Sequence, residues 1–379
     1  MRVLYIITGL QTGGAERQLG RLLACLHGGR IDAAVVSLAP RGPVSSEIES
    51  LGVPVWHLGL DQPWRLPWAA ARLVSIAKRF RPDVIQGWMY HGNLAASIAG
   101  RVLDRPVVWG VRQSLYDLKR ERPGTRAVIR LSARWSNRVA GIVYNAALSR
   151  TQHEAFGFAR ESGWVIGNGF DGREWCPDAA ARASVRAELG IAPDAPLIGL
   201  IARYHPMKGH EIFLDAAARL ALARPDVHFL LAGREVTPAH PLFAAHCHNK
   251  PLAGRLHLLG ERADIPRLNA ALDIASSSSS WGEAFSNALA EALLCGVPVA
   301  ATDVGDARII VGDAGIVVPR GDACALANAW QALLDSGFEA RQAMGRAGRE
   351  RLLAVYSVEA VAQAYARLYE KIQDRWTKT

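Results

Sequence analysis

The chain has 379 residues, half of them hydrophobic and 21% charged, with a formal net charge of +9. That length exceeds one ordinary core and fits two domains, each able to bury a real interior, and the composition excludes a disordered or fibrous chain. No run of eighteen apolar residues occurs, so no segment reads as a membrane span; five scattered cysteines without Cys-x-x-Cys spacing predict a reduced, cytoplasmic setting. The charge is uneven. Residues 1–175 hold 23 Lys and Arg against 13 Asp and Glu, and the remainder 21 against 22. No zinc-finger, RNP-like or helix-turn-helix signature accompanies the basic half, which argues against nucleic acid and for an anionic membrane surface or a phosphorylated acceptor.

Short β-branched runs alternate with helical patterns, which predicts parallel sheets with crossover helices. In the first half the strands fall at 3–7, 33–38, 53–58, 83–88, 106–111, 141–144 and 164–166. In the second they fall at 197–202, 228–232, 256–259, 273–275, 298–301 and 315–318. The first run leads straight into a Gly-rich turn and reads as a strand rather than a signal peptide. Gly13-Gly14-Ala15-Glu16 then puts a turn and a helix N-terminus after that strand. It is not a Gly-x-Gly-x-x-Gly loop, so it serves either turn chemistry or an approach to phosphate. Trp88-Met-Tyr-His91-Gly-Asn93 and Val107-Val-Trp-Gly-Val-Arg112-Gln-Ser114 each follow a strand and should carry their polar residues into one cleft. Arg122, Arg126, Arg130, Arg134 and Arg138 recur every four residues, after Lys119 and Arg120. On a helix they form a slanting basic stripe, beside Val128, Ile129, Leu131 and Trp135. It is either a solvated face or one that meets anionic lipid, and the missing acidic partners at i±4 favour lipid.

The Pro- and Asp-containing stretch 171–196 makes a boundary. We divide the chain into 1–172 and 173–357, two Rossmann-like doubly wound domains of α/β class facing a central cleft, with a last helical segment over 358–379. After the strand at 197–202 comes Arg203-Tyr-His-Pro-Met-Lys208-Gly, basic loop residues that are either merely solvated or fixed cations for a diphosphate. His240, His246, Cys247 and His248 contain metal-capable side chains, but their spacing fits no zinc template, and no metal is expected. The serine run 276–280 should line a ligand pocket.

The most informative stretch is Trp281-Gly-Glu-Ala-Phe-Ser-Asn-Ala-Leu-Ala-Glu291, followed by Ala-Leu-Leu-Cys-Gly-Val-Pro-Val-Ala. If a helix starts near Phe285, Glu283 sits in the loop at its mouth and Glu291 about two turns in, a rise of roughly 12 Å. That separation is too great for a glycosidase pair, whose carboxylates lie ~5–10 Å apart. It suits two acids gripping the ends of a long ligand, with the N–H groups of Phe285, Ser286 and Asn287 between them for an anion. A nucleotide sugar has that form.

Gly-Glu-x-Phe-x-Asn with the following Glu-Ala-x-x-Cys-Gly-Val-Pro-Val closely resembles the signature of retaining glycosyltransferases of family 4, of the type that builds lipopolysaccharide, capsule or exopolysaccharide. The usual pattern has Gly where this chain has Ala284 and Ser286. The resemblance covers nearly the whole chain and implies the GT-B fold, with the 358–379 segment packing back on the first domain. It implies Glu283 on the donor sugar, Glu291 on the ribose, Arg203 and Lys208 on the diphosphate, and Gly14 near the donor phosphates. His91, Asn93, Arg112 and Ser114 would take the acceptor side, and Glu283, His91, Arg112 and Lys208 the chemistry. No carboxylate nucleophile is evident, so front-face attack is what the family implies. The expectation is a metal-independent enzyme without a cofactor, taking a hexose-type sugar from a nucleotide-diphosphate donor. The acceptor would be a lipid-linked or cell-envelope saccharide, at the inner face of the cytoplasmic membrane. An epimerase or phosphorylase on the same fold, or a non-catalytic nucleotide-sugar or membrane-binding module, are the alternatives. Release of free UDP against formation of an epimer separates the first from the transferase.

Overall fold

The computed structural model describes residues 1–60, 62–247 and 250–378, without the side chains of Pro63 and Arg120. The chain divides into two compact units: Met1–Gly169 with Tyr356–Thr379, and Phe170–Val355.

The first unit has a parallel sheet of β1 (Arg2–Ile7), β2 (Asp32–Ser37), β3 (Val55–His57), β4 (Val84–Trp88), β5 (Val107–Val111), β6 (Gly141–Tyr144) and β7 (Gly163–Val165), in the order β3-β2-β1-β4-β5-β6-β7. These runs are apolar on both faces because helices cover both. On one face Leu19, Leu22 and Leu23 of the helix Gly14–Leu26 pack with Val361, Tyr365 and Tyr369 of the C-terminal helix Val358–Trp376. Tyr369 is fully buried; its hydroxyl donates to Gln86 Oε1 at 3.0 Å and lies 3.2 Å from the Tyr5 hydroxyl, so the last helix is tied to β1 and β4. The other face is covered by the neighbouring helices Leu66–Phe80, Met89–Leu103 and Pro123–Trp135, through Leu73, Ala77, Ala96, Ala99 and Ile129.

The second unit has β8 (Leu197–Ile201), β9 (His228–Ala232), β10 (Leu256–Leu258), β11 (Ile274–Ser277), β12 (Val299–Thr302) and β13 (Gly315–Val318), ordered β10-β9-β8-β11-β12-β13 and all parallel. Phe213, Phe229 and Trp330 form its aromatic centre. The stretch read as a boundary contains a helix, Ala179–Leu189, capped by the Asp178 carboxylate and closed by Gly190 at φ +67. Its Arg182 and Arg186 both reach Asp273, at 2.8 and 2.6 Å. In both sheets the strand order reverses once, between β1 and β4 and between β8 and β11. Doubly wound folds bind ligands at the carboxyl ends of the strands at such points.

Candidate functional site

At the β8/β11 reversal, two loops distant in sequence meet. β8 leads through Arg203 to a 3-10 turn, Pro206–Lys208; β11 leads through Ser278, Ser279 and Ser280 to Glu283. Lys208 Nζ donates to Glu283 Oε1 at 2.5 Å, with the two side chains 22% and 11% exposed. Ser279 Oγ donates to the same carboxylate oxygen at 3.1 Å, and Ser278 Oγ to the Lys208 carbonyl at 2.9 Å. Thr302 Oγ1 in turn donates to the Ser279 carbonyl at 2.6 Å. Gly209 follows Lys208 at φ +62, and a Cβ there would lie 2.0 Å from the Ser278 carbonyl oxygen, so only glycine lets the two loops approach. The serine run is thus the frame that fixes Lys208 against Glu283. Its role as a frame escapes a reading of spacing alone; five consecutive serines at a strand's end, just before Glu283, are the signal for it. Arg203 is exposed on the same loop. Desolvation lowers the pKa of His205, and the charges of Arg203 and Lys208 lower it further, a mark of the positive field at this strand end.

The helix after Glu283 spans Asn287–Leu294, two residues later than the start expected at Phe285. Phe285 is buried in a stack on Phe170, ring centroids 6.0 Å apart, and Ser286 is extended, which holds both outside the helix. Glu291 therefore stands four residues past the helix start, a rise of roughly 6 Å, instead of two turns in. The Glu283–Ala284 loop is braced by the Asp306 N–H, which donates to the Ala284 carbonyl at 2.9 Å.

In the first unit the β1/β4 reversal brings Gly14 and Arg112 around one indole. Gly14 opens the helix after β1. Trp88, the last residue of β4, donates from Nε1 to the Ala15 carbonyl at 3.0 Å, and the Arg112 guanidinium lies 4.1 Å above its ring. Arg112 Nη1 also donates to the Tyr365 hydroxyl at 3.2 Å, while its buried Nε meets no hydrogen-bond partner among the described residues. His91 is exposed on the first turn of the helix Met89–Leu103, and desolvation on its protein side lowers its pKa. Met89, just before it, has φ +65, an uncommon conformation for a side chain of that kind. Asn93 is fully buried, with Oδ1 accepting from the Gly110 N–H at 3.0 Å and Nδ2 donating to the Gly110 carbonyl at 3.2 Å. It staples the helix to β5 and is closed to an acceptor, a correction to its expected binding role. Ser114 is half-buried, and its hydroxyl finds no partner among the described residues.

Of the metal-capable group, His240 packs at a tilt against Tyr204 with ring centroids 4.1 Å apart, His246 Nδ1 lies 2.9 Å from the Leu242 carbonyl, and His248 falls outside the described residues. Among the described residues no three His, Cys, Asp or Glu side chains gather as a metal set would. Arg126, Arg130 and Arg134 lie on the helix Pro123–Trp135, Arg122 caps it, and Arg138 sits in the turn beyond; all but the half-buried Arg126 are exposed. Ile129 is turned into the core, and Leu131 is the exposed apolar neighbour.

Residues 12–173 match the family model described as glycosyltransferase family 4, and residues 195–336 the one described as glycosyl transferases group 1. The chain belongs to glycosyltransferase family 4. The lipopolysaccharide core biosynthesis mannosyltransferase LpsB of Rhizobium meliloti is 31% identical over 55% of this chain and 60% of that protein. A D-inositol 3-phosphate glycosyltransferase of Mycolicibacterium gilvum is 30% identical over 49% and 42%. The chain thus spans about half the length of the curated relatives it matches. The crystal structure of Anabaena HepE in complex with UDP is 26% identical over 98% of this chain and 100% of that one, with a TM-score of 0.85. The two doubly wound units of this family 4 member are those of the GT-B architecture.

Proposed function

We propose that the protein is a retaining, metal-independent glycosyltransferase that moves a hexose-type sugar from a nucleotide-diphosphate donor to a lipid-linked or cell-envelope saccharide. The observation that carries this reading is the Lys208–Glu283 contact at a strand-order reversal. A nucleotide sugar joins its sugar to its diphosphate by one bond, so a cation and a carboxylate in contact match the two groups flanking that bond. Lys208 keeps N–H donors beyond the one spent on Glu283, and with Arg203 stabilises the diphosphate as it leaves. Glu283 accepts from sugar hydroxyls, and Glu291, one turn into its helix, from the ribose. The Trp88-stacked Arg112 and the exposed His91 serve the acceptor. The chain has no Asp-x-Asp triplet, the usual divalent-metal clamp of the other major glycosyltransferase fold, and the protein cations take the metal's role.

The relatives support a nucleotide-sugar donor: HepE is solved with UDP and with UDP-glucose, and LpsB is named a mannosyltransferase. The helices Leu66–Phe80, Met89–Leu103 and Pro123–Trp135, side by side on one sheet face, contain no Asp or Glu, which favours docking on an anionic membrane surface. Among the described residues no helix is long and apolar enough to cross a membrane.

A thermal-shift panel of UDP, GDP, ADP and dTDP sugars tests the donor; the matching one at a hundred times its dissociation constant adds about 2.7 kcal/mol of stability. Transfer with that donor survives exhaustive EDTA treatment and yields a product of retained anomeric configuration. Activity lost to EDTA and restored only by magnesium or manganese overturns the role given to Arg203 and Lys208.

A further inference from the structure

At the amino-terminal edge of the first sheet, opposite the strand ends that carry Gly14 and Arg112, lies a cavity of ≈ 680 Å³. Its walls come from the C-terminal end of the helix Met89–Leu103, the turn Ser136–Arg138 and the end of the helix Val358–Trp376. Arg101, Arg105 and Arg138 line it with two indoles, Trp135 and Trp376, and a single carboxylate, Asp104. Among the described residues no carboxylate forms an ion pair with any of the three arginines. Arg138 lies 6.0 Å from the Trp135 ring, which lends that guanidinium a fixed wall. The volume falls within the ~300–1,000 Å³ usual for small-molecule sites.

Three solvent-exposed guanidiniums around one cavity, opposed by one carboxylate, make a positive field that favours an anion among them. Guanidinium forks match the oxygens of a phosphate two at a time, and indole walls suit the carbon skeleton attached to it. We propose that this cavity is a binding site for a phosphate ester, separate from the site of sugar transfer. The ester is either the headgroup of an anionic phospholipid or a free small phosphate ester, two sources of the same chemistry.

The test uses the full chain. Glycerol 1-phosphate is titrated at constant ionic strength, set with potassium chloride, while tryptophan fluorescence is followed. The wild type gives a saturable change, which Trp376→Phe diminishes. Arg101→Gln with Arg105→Gln weakens binding at least fivefold while the circular dichroism spectrum and the cooperative melt stay those of the wild type. If that variant does not fold, Arg101→Lys with Arg105→Lys serves instead, keeping the charge and removing the fork, with the same fivefold threshold. Competition identifies the source: vesicles of phosphatidylglycerol that displace glycerol 1-phosphate, where phosphatidylcholine vesicles do not, identify a lipid headgroup. Failure of both to displace it identifies a free ester. A wild type without saturation, or a folded variant weakened less than fivefold, overturns the site. Neither variant alters Arg122, Arg126, Arg130 or Arg134, and neither arm involves sugar transfer, so failure here leaves the transferase reading standing.

Discussion

Lys208 and Glu283 are 75 residues apart in sequence and 2.5 Å apart in space. The contact is framed on each side: Ser279 holds the carboxylate, Ser278 holds the Lys208 carbonyl, and Gly209 permits the approach. Removing either charged partner leaves the other mostly buried without its counter-ion, so the two act as one unit. Lys208→Ala is expected to slow turnover by about 10²–10³, the usual loss for one donor to transition-state charge. Glu283→Ala is expected to lower turnover more than donor affinity, and Glu291→Ala mainly to weaken donor binding, because the ribose contact proposed for Glu291 is the same before and during transfer. A double-mutant cycle in kcat/KM for Lys208 and Glu283 should show coupling of at least ~0.5 kcal/mol; strict additivity would separate the two roles.

The helix Ala179–Leu189 shows how one element is fixed by a buried charge. Arg186 is 2% exposed and Asp273 7%, and Asp273 also accepts from the Leu197 N–H at 2.8 Å, so the helix is locked to the starts of β8 and β11. Burial pulls the Arg186 pKa down, and the Asp273 carboxylate offsets it in part. Asp273→Asn should therefore cost about 3–5 kcal/mol, the range for breaking a buried pair from one side, read as a lower denaturant midpoint; a loss below 1 kcal/mol would show the pair to be solvated. The helix Pro123–Trp135 is the contrary case, with its charges outward. At low salt the protein should sediment with vesicles rich in anionic lipid and be released by high salt, since each basic residue near such a surface contributes roughly 1 kcal/mol. Replacing Arg126, Arg130 and Arg134 by Glu should abolish sedimentation and leave hydrolysis of a soluble donor intact. Wild type and variant both remaining in the supernatant at low salt would make the stripe a solvated face.

Across the whole molecule, acid acts through desolvated imidazoles in both units, His153 and His210 buried and His257 half-buried. His153 in the first unit and His210 and His257 in the second are each held down to about 4, desolvation being the largest cause. The His153 ring lies between the Ser149 carbonyl at Nδ1 and the Tyr90 hydroxyl at Nε2, which fits a neutral ring donating from Nδ1 and accepting at Nε2. The folded pKa lies below the ordinary imidazole value of 6.5, so between the two the unfolded chain binds more protons. Stability is full above pH ~6.5 and falls as pH drops toward ~4, by on the order of 3 kcal/mol for His153. Urea unfolding followed from pH 7.5 to 4.5 checks this: His153→Gln should flatten the first unit's dependence, and an unchanged slope would exclude the imidazole as its source.

The sequence by itself determined the strands, because buried parallel strands are apolar on both faces and stand out as short runs; each expected run lies on an observed strand. It also marked Glu283, Lys208 and Arg203 through local patterns at strand ends. Three things were decided only by the tertiary structure. Strand order brought the loops after β8 and β11 together, and no local periodicity carries strand order. Burial of Phe285 against Phe170 moved the start of the following helix, although Ala- and Leu-rich sequence favours an earlier one. Asn93, polar and next to a strand end, reads as a ligand contact until β5 covers it and Gly110 takes both its amide atoms. Each of the three depends on contacts between residues distant in the chain, and their physical cause is the packing of one element on another.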